Sequence, residues 1–262
     1  MDFLEEYYNQ DKEEGRLLSR HGQVEYLTTQ RYIHMYLKGN KAARILEIGA
    51  GTGRYSVALA KEGYPVVALE LVAHNIDVLR TKLDGTESIE VLQGNALDLS
   101  RFEDNCFDLT LVLGPMYHLY TKADKLRALG EAVRVTKPGG VLMVAYCMNE
   151  ATMIQYVFAG KHLQDVLEKD MLGPDWLARS EPKEIFEMIR TEGIDELNAD
   201  LGVRRLKLIA TDGATNYLRE LIDGMDDATF AKWLEYHWAT CERQDLIGAS
   251  NHTLDILRKE SS

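Results

Sequence analysis

The sequence predicts an α/β protein built on a doubly wound, mostly parallel sheet, and two observations lead there. Five short apolar runs alternate with longer segments of helical periodicity, punctuated by Gly, Pro and polar residues. The first run leads directly into a glycine-rich turn, Gly49-Ala50-Gly51-Thr52-Gly53, which opens a helix. That junction is where open α/β sheets take their ligands. At 262 residues the chain can bury a substantial core, and its length fits one main domain with an insertion better than two separate ones.

Taken in order, residues 23–37 carry an amphipathic helical pattern that reads either as a lid or as packing, within an N-terminal segment of residues 1–40. Strand-like runs follow at 43–48 (ARILEI), 65–69 (PVVAL), 89–92 (IEVL), 107–113 (FDLTLVL) and 140–146 (GVLMVAY). Helix-like segments at 54–62, 72–83 and 122–135 lie between them, which implies right-handed βαβ crossovers. After Tyr146 the rhythm changes, and a helical insertion at about 147–200 interrupts the main domain of residues 41–262. Its apolar positions Met153, Tyr156, Val157, Phe158, Trp176, Ile185, Phe186 and Met188 serve either as plain core or as a cap over the sheet edge. Two more strand-like runs, 203–210 (VRRLKLIA) and 252–257 (HTLDIL), complete the pattern.

Forty-two acidic residues against thirty basic ones give a net charge of -12, which argues against a nucleic-acid partner because phosphate binding needs clustered Lys and Arg. Arg16, Arg20 and Arg31, and later Arg204, Arg205 and Lys207, are expected to be parts of a mixed solvated surface. No apolar run approaches the roughly 18 residues of a membrane span, and the first residues are acidic, so a cytoplasmic protein without membrane attachment is expected. Cys106, Cys147 and Cys241 are widely spaced and read as reduced, buried thiols.

The chemistry concentrates in Glu47-Ile48-Gly49-Ala50-Gly51-Thr52-Gly53-Arg54-Tyr55. Alternate glycines let the backbone turn tightly and approach a ligand where a Cβ would collide. The dinucleotide fingerprint G-x-G-x-x-G fails, because Arg54 or Ser56 stands at its last position, and no Gly-Lys-Ser/Thr follows for a P-loop. Glu47 at the strand end attracts a cationic ammonium and repels a pyrophosphate, unless it merely pairs with Arg44 or Arg54. Glu70 closes the second strand about 20 residues on, where a carboxylate accepts from ribose hydroxyls. Gly94-Asn95-Ala96 is either an ordinary turn or, in register with the two earlier sites, an adenine-contacting segment with the Asn95 carbonyl as acceptor.

In order and spacing, ILEIGAGTGRYS, the strand-end Glu70, GNALDL, FDLTLVLGPMYHL and RVTKPGGVLMVAY resemble the successive motifs of class I S-adenosylmethionine-dependent methyltransferases. LGPMYHL resembles a bacterial subgroup of small-molecule-type enzymes. The resemblance covers residues 43–146 and implies a Rossmann-like methyltransferase fold with seven strands in the order 3-2-1-4-5-7-6, the last antiparallel. It further implies S-adenosylmethionine as cofactor, S-adenosylhomocysteine as product, and a cofactor site made of Glu47, Gly49, Ala50, Gly51, Gly53, Tyr55, Glu70, Leu71, Asn95, Ala96 and Leu113. Asp is commoner than Asn at position 95, although an amide oxygen can still accept from an amine.

Methyl transfer is an in-line displacement in which the protein mainly aligns and desolvates the nucleophile. His118 could take a proton from an acceptor hydroxyl and Tyr117 could stack on the acceptor, or both simply pack the Gly114-Pro115 turn. The Asn/Asp-Pro-Pro-aromatic motif of nucleic-acid amino methylation is missing, no Pro-Cys pair supplies a thiolate, and no ligand spacing suggests a metal. A small-molecule acceptor in an enclosed pocket is therefore expected, with Tyr7, Tyr8, His21, Tyr117, His118 and Tyr156 as candidate lining. Three alternatives stand beside this reading: a regulatory or interaction protein that binds the cofactor without transferring, a methyltransferase acting on a macromolecule, and a nicotinamide oxidoreductase. Neither the acceptor nor the oligomeric state is legible.

Overall fold

The computed structural model describes residues 3–8, 15–184 and 186–260. Ile185, named above for the insertion, lies outside the described residues, as do residues 1–2 and 9–14 of the N-terminal segment. The chain begins with α1 (Phe3–Tyr8) and α2 (Arg20–Leu37), then runs β1 (Ile45–Ile48), α3 (Arg54–Lys61), β2 (Val66–Glu70), α4 (Ala73–Thr81), β3 (Ile89–Gln93) and β4 (Phe107–Val112). It continues with α5 (Lys122–Val135) and β5 (Thr136–Met148) into the insertion. There α6 (Asn149–Thr152) passes into a π-helical turn, Met153–Ala159, followed by α7 (Leu163–Glu168), β6 (Met188–Ile189) and α8 (Thr191–Asn198). The closing part holds β7 (Val203–Ala210), α9 (Arg219–Asp223), α10 (Asp227–Thr240), α11 (Gln244–Ile247) and β8 (His252–Lys259).

The strand order is β3-β2-β1-β4-β5-β8-β7, with β1 to β5 parallel and β8 antiparallel to both neighbours. Counted over the seven strands expected from the sequence, this is the predicted order. An eighth strand was not foreseen: the two residues of β6 pair parallel with Cys147 and Met148 of β5. On its other edge β5 pairs with β8 as far as Cys147, while β4 ends at Val112 opposite Val144. β6 thus takes the edge that β4 leaves open, and two residues are too short for a periodic signal.

Period-two alternation sorts the strand side chains into two cores. Leu46, Ile48, Val67, Leu69, Leu142 and Val144 face one layer, which includes α5 and α8; Ile45, Leu109, Leu111, Val141 and Met143 face the other, with α2 and α3. Glu47 shares the parity of Ile45, so its carboxylate points to the α3 side of the sheet.

α2 packs one face against the sheet. Tyr32, Ile33 and Leu37 are buried in the second core and Val24 is buried as well, the Tyr32 hydroxyl donates to Glu242 (2.7 Å), and Trp238 Nε1 donates to Thr28 (3.2 Å). Part of the insertion is plain core. Met153 and Val157 join Val166 in a small separate core, whereas Tyr156, Phe158 and Trp176 stay about half exposed. Of the cysteines, Cys147 and Cys241 are buried and Cys106 is only half-buried.

Candidate active site

β1 and β2 are buried along their whole length, and each delivers an acid to the same edge of the sheet: Glu47 in β1, Glu70 at the end of β2. At the carboxyl ends of β1 to β4 lies a cavity of about 310 Å³ lined by both. The turn between β1 and α3 forms its floor, with Gly49, Gly51 and Gly53 at φ of 74°, 54° and 82°, a region that only glycine enters cheaply. Gly49 also leans on the next turn, since a Cβ there would sit 2.7 Å from Pro115 Cδ. Gly53 does different work: it does not line the cavity, and a Cβ there would meet Leu79 Cγ at 2.5 Å, so its smallness lets α3 pack against α4.

Glu47 is 2 % exposed and accepts a short hydrogen bond from Ser56 Oγ. Burial pushes its carboxyl up to about 8, against the lowering effect of the Ser56 hydrogen bond. Neither arginine proposed as its partner pairs with it. Arg44 stacks on Phe107 and Arg54 on Tyr26, with guanidinium carbons 4.6 and 4.5 Å from the ring centres. A buried carboxyl with one hydroxyl donor beside a cavity can receive a cation once it is ionised.

Glu70 ties the loop to β2. Its Oε2 accepts from Gly51 N–H (2.8 Å), and its Oε1 from Val72 N–H (2.9 Å) and Asn75 Nδ2 (3.3 Å). A carboxylate offers about four lone-pair positions, so Oε2 keeps capacity for a ligand hydroxyl. Asn95 lines the cavity too, but its side-chain oxygen accepts from Leu97 N–H (2.9 Å), which makes the residue a turn as well as a wall. Leu71, Ala96, Leu113, Ala50 and Tyr55 also line the cavity, so of the expected cofactor residues only Gly53 stands back from it.

Beyond β4 the Pro115–Tyr117 turn brings Tyr117 and His118 to the same wall. Tyr117 donates its hydroxyl to Leu113 O (2.7 Å), and His118 Nε2 shares a 2.8 Å hydrogen bond with the Tyr8 hydroxyl. The remaining lining candidates separate. Tyr8 faces the cavity; Tyr7 lies behind it, edge-on to Tyr8 and Phe186; His21 is paired with Asp223; Tyr156 stacks on His162 at the surface. Sequence reasoning missed Arg16, Arg54, Val72, Asn75 and Leu97 as wall residues. Arg54 follows Gly53 directly and was weighed only as a partner for Glu47, yet its Nε is buried with no hydrogen-bond partner among the described residues.

Arg16 joins the cavity to a buried charge network. It makes a bidentate pair with Glu25 (2.7 and 3.1 Å), whose Oε2 lies 3.3 Å from His252 Nδ1, itself 2.8 Å from Asp212 Oδ2. Burial alone would lower the His252 pKa, but Glu25, Cys147 and Asp212 together hold it well above the usual imidazole range. The ligand-capable atoms of Glu25, Asp212 and His252 all lie within 4.8 Å of one another, a spacing a metal could use. Here the His252 ring stands between the two carboxylates, and Asp212 also accepts from Ser250 Oγ, Asn251 N–H and His252 N–H. Of the other basic residues, Arg205 pairs with Asp195 and Asp255, Lys207 with Glu242 and Arg20 with Asp227, so these form no open cationic face. No described helix is long and apolar enough to cross a membrane.

Residues 46–144 match the model of the family described as Methyltransferase domain. The demethylmenaquinone methyltransferase of Clavibacter sepedonicus is 36% identical over 101 residues, 38% of this chain and 40% of that protein. The ubiquinone biosynthesis O-methyltransferase of Methylocella silvestris is 32% identical over 178 residues, 64% of this chain and 63% of that protein. The chain thus spans between two fifths and two thirds of these relatives' lengths. Among solved structures, a SAM-dependent methyltransferase from Methanosarcina mazei superposes with a TM-score of 0.59 at 19% identity, covering 88% of this chain and 98% of that one, a likeness of fold.

Proposed function

We propose that this chain is an S-adenosylmethionine-dependent methyltransferase acting on a small-molecule acceptor. The observation that carries the reading is Glu47, a buried carboxylic acid beside a glycine turn and in one cavity with Glu70 and Asn95. A ligand that offers an ammonium, two vicinal hydroxyls and an adenine fits that set in order along the strand ends. When bound, S-adenosylmethionine supplies a methyl group activated by a sulfonium. Glu47 would hold the ammonium, Oε2 of Glu70 a ribose hydroxyl, and the Asn95–Leu97 turn with Leu71 the adenine.

The protein's own work is then on the acceptor side. Leu113 to His118 form the wall that receives it, and a neutral His118 Nε2 can accept a proton from an acceptor hydroxyl. The aliphatic and aromatic remainder of the wall, Leu4, Leu17, Leu119 and Tyr120, excludes water from the nucleophile. The names of the two relatives, one acting on demethylmenaquinone and one in ubiquinone biosynthesis, favour a quinone-type acceptor.

Calorimetric titration with S-adenosylhomocysteine, beside nicotinamide adenine dinucleotide, tests the reading. Micromolar binding of the first alone is expected. Binding of the dinucleotide alone, or of neither by folded protein free of carried-over ligand, would overturn it.

A further inference from the structure

The hydrogen bond between Tyr8 and His118 joins α1 to the wall that the preceding section gives to the acceptor. We propose that Tyr8 is a specificity-determining gate residue, whose phenol occupies the place at His118 Nε2 that an acceptor hydroxyl must take. The acceptor is therefore a flat hydroxyaryl compound admitted by displacing Tyr8. The proposal rests on the methyltransferase reading and on His118 facing the acceptor.

Three observations carry it. The first is position: the Tyr8 hydroxyl lies 2.8 Å from Nε2, and both residues line the cavity that also holds Glu47 and Glu70. An imidazole that removes a proton from an acceptor must present a nitrogen at hydrogen-bond distance to that hydroxyl, and in this structure a phenol already stands there.

The second is shape. Tyr8 meets the His118 ring edge-on (5.6 Å, 83°), while Tyr117 and Phe186 pack against the same imidazole at 4.9 and 5.4 Å. The imidazole is thus walled by aromatic rings, with the Tyr8 phenol edge-on against it, and a flat hydroxyaryl ring suits the place that phenol holds.

The third is exposure. None of the six residues of α1 is buried, and Tyr8 itself is half-buried. Moving the phenol off Nε2 therefore opens no buried core, and an incoming phenol can compete with Tyr8 for that nitrogen.

The test uses p-cresol, which reproduces the tyrosine side chain, with toluene as the control that lacks the hydroxyl. Both are titrated into the S-adenosylhomocysteine-saturated wild type and the Tyr8→Phe and Tyr8→Ala variants, with imidazole nitrogen NMR of His118 as readout. Removing the Tyr8 hydroxyl is expected to tighten p-cresol binding roughly 3- to 10-fold in Tyr8→Phe, and further in Tyr8→Ala. Toluene affinity should stay level between wild type and Tyr8→Phe, the His118 signal should move with p-cresol, and the gain should vanish in Tyr8→Phe/His118→Ala. Equal p-cresol affinity in wild type and Tyr8→Phe, or an equal gain for toluene, overturns the gate and leaves Tyr8 as packing. If S-adenosylhomocysteine fails to bind wild type, the transfer reading falls, and the same comparison in the free protein still shows whether Tyr8 and p-cresol compete for His118.

Discussion

Glu47 shows how one residue trades stability for binding. Burial raises its carboxyl from an ordinary 4.5 to about 8, so the folded state prefers the protonated form. The stability this contributes is complete below the unfolded carboxyl's range and is lost as pH rises through about 8. Glu47→Gln should therefore stabilise the ligand-free protein above pH 8, by about 1–3 kcal/mol, and weaken S-adenosylhomocysteine binding 10- to 100-fold. Thermal unfolding and calorimetry across pH check both halves; a variant less stable at pH 9 would contradict the assignment. Because holding an ammonium needs the ionised acid, wild-type affinity should climb by up to tenfold per unit between pH 6 and 8, with proton release visible in buffers of different ionisation enthalpy. A flat profile would mean that Glu47 does not titrate on binding. The neighbouring glycines divide by role: Gly51→Val, at φ 54° in the cavity floor, should abolish binding in protein whose near-ultraviolet dichroism is retained. Retained affinity there would put the ligand elsewhere.

At the scale of elements, α2 is fixed to the far side of the sheet by charge. Glu25 on α2, Asp212 after β7 and His252 at the start of β8 converge, with Arg16 closing the network at the cavity wall. Removing the central cation leaves two carboxylates facing each other, so His252→Gln should cost about 2–4 kcal/mol at pH 6. A histidine whose pKa is raised on folding contributes fully below the unfolded imidazole's range and loses that contribution as pH rises through its folded value. The gap in melting temperature between wild type and His252→Gln should narrow as the solution is made alkaline, and a gap constant from pH 6 to 9 would show no proton linkage. None of this was legible in the sequence. Glu25, Asp212 and His252 have no motif spacing, and only the antiparallel pairing of β8 with β7, with α2 packed beside it, brings them together. The helices α3, α4 and α5 were readable because each presents one apolar stripe to a sheet already signalled by its strands.

For the whole molecule, local pattern and global topology agree along residues 43–146, where each strand, turn and crossover helix is contiguous in sequence. There the alternation of strand and helix by itself determined a mostly parallel sheet with right-handed crossovers, while the order of its strands followed from the resemblance to the methyltransferase family. The sequence also determined much of the cavity wall, since Glu47, the glycine turn, Glu70 and Asn95 all follow directly from strand ends. What only the tertiary structure decided lies where contacts span the chain: Arg16 and Tyr8 reaching the cavity from the N-terminal segment, Gly53 assigned to helix packing, and β6 filling the open edge of β5. Periodicity reports which face of an element is apolar, and carries no record of which distant polar side chain that element will meet once the sheet has closed around it.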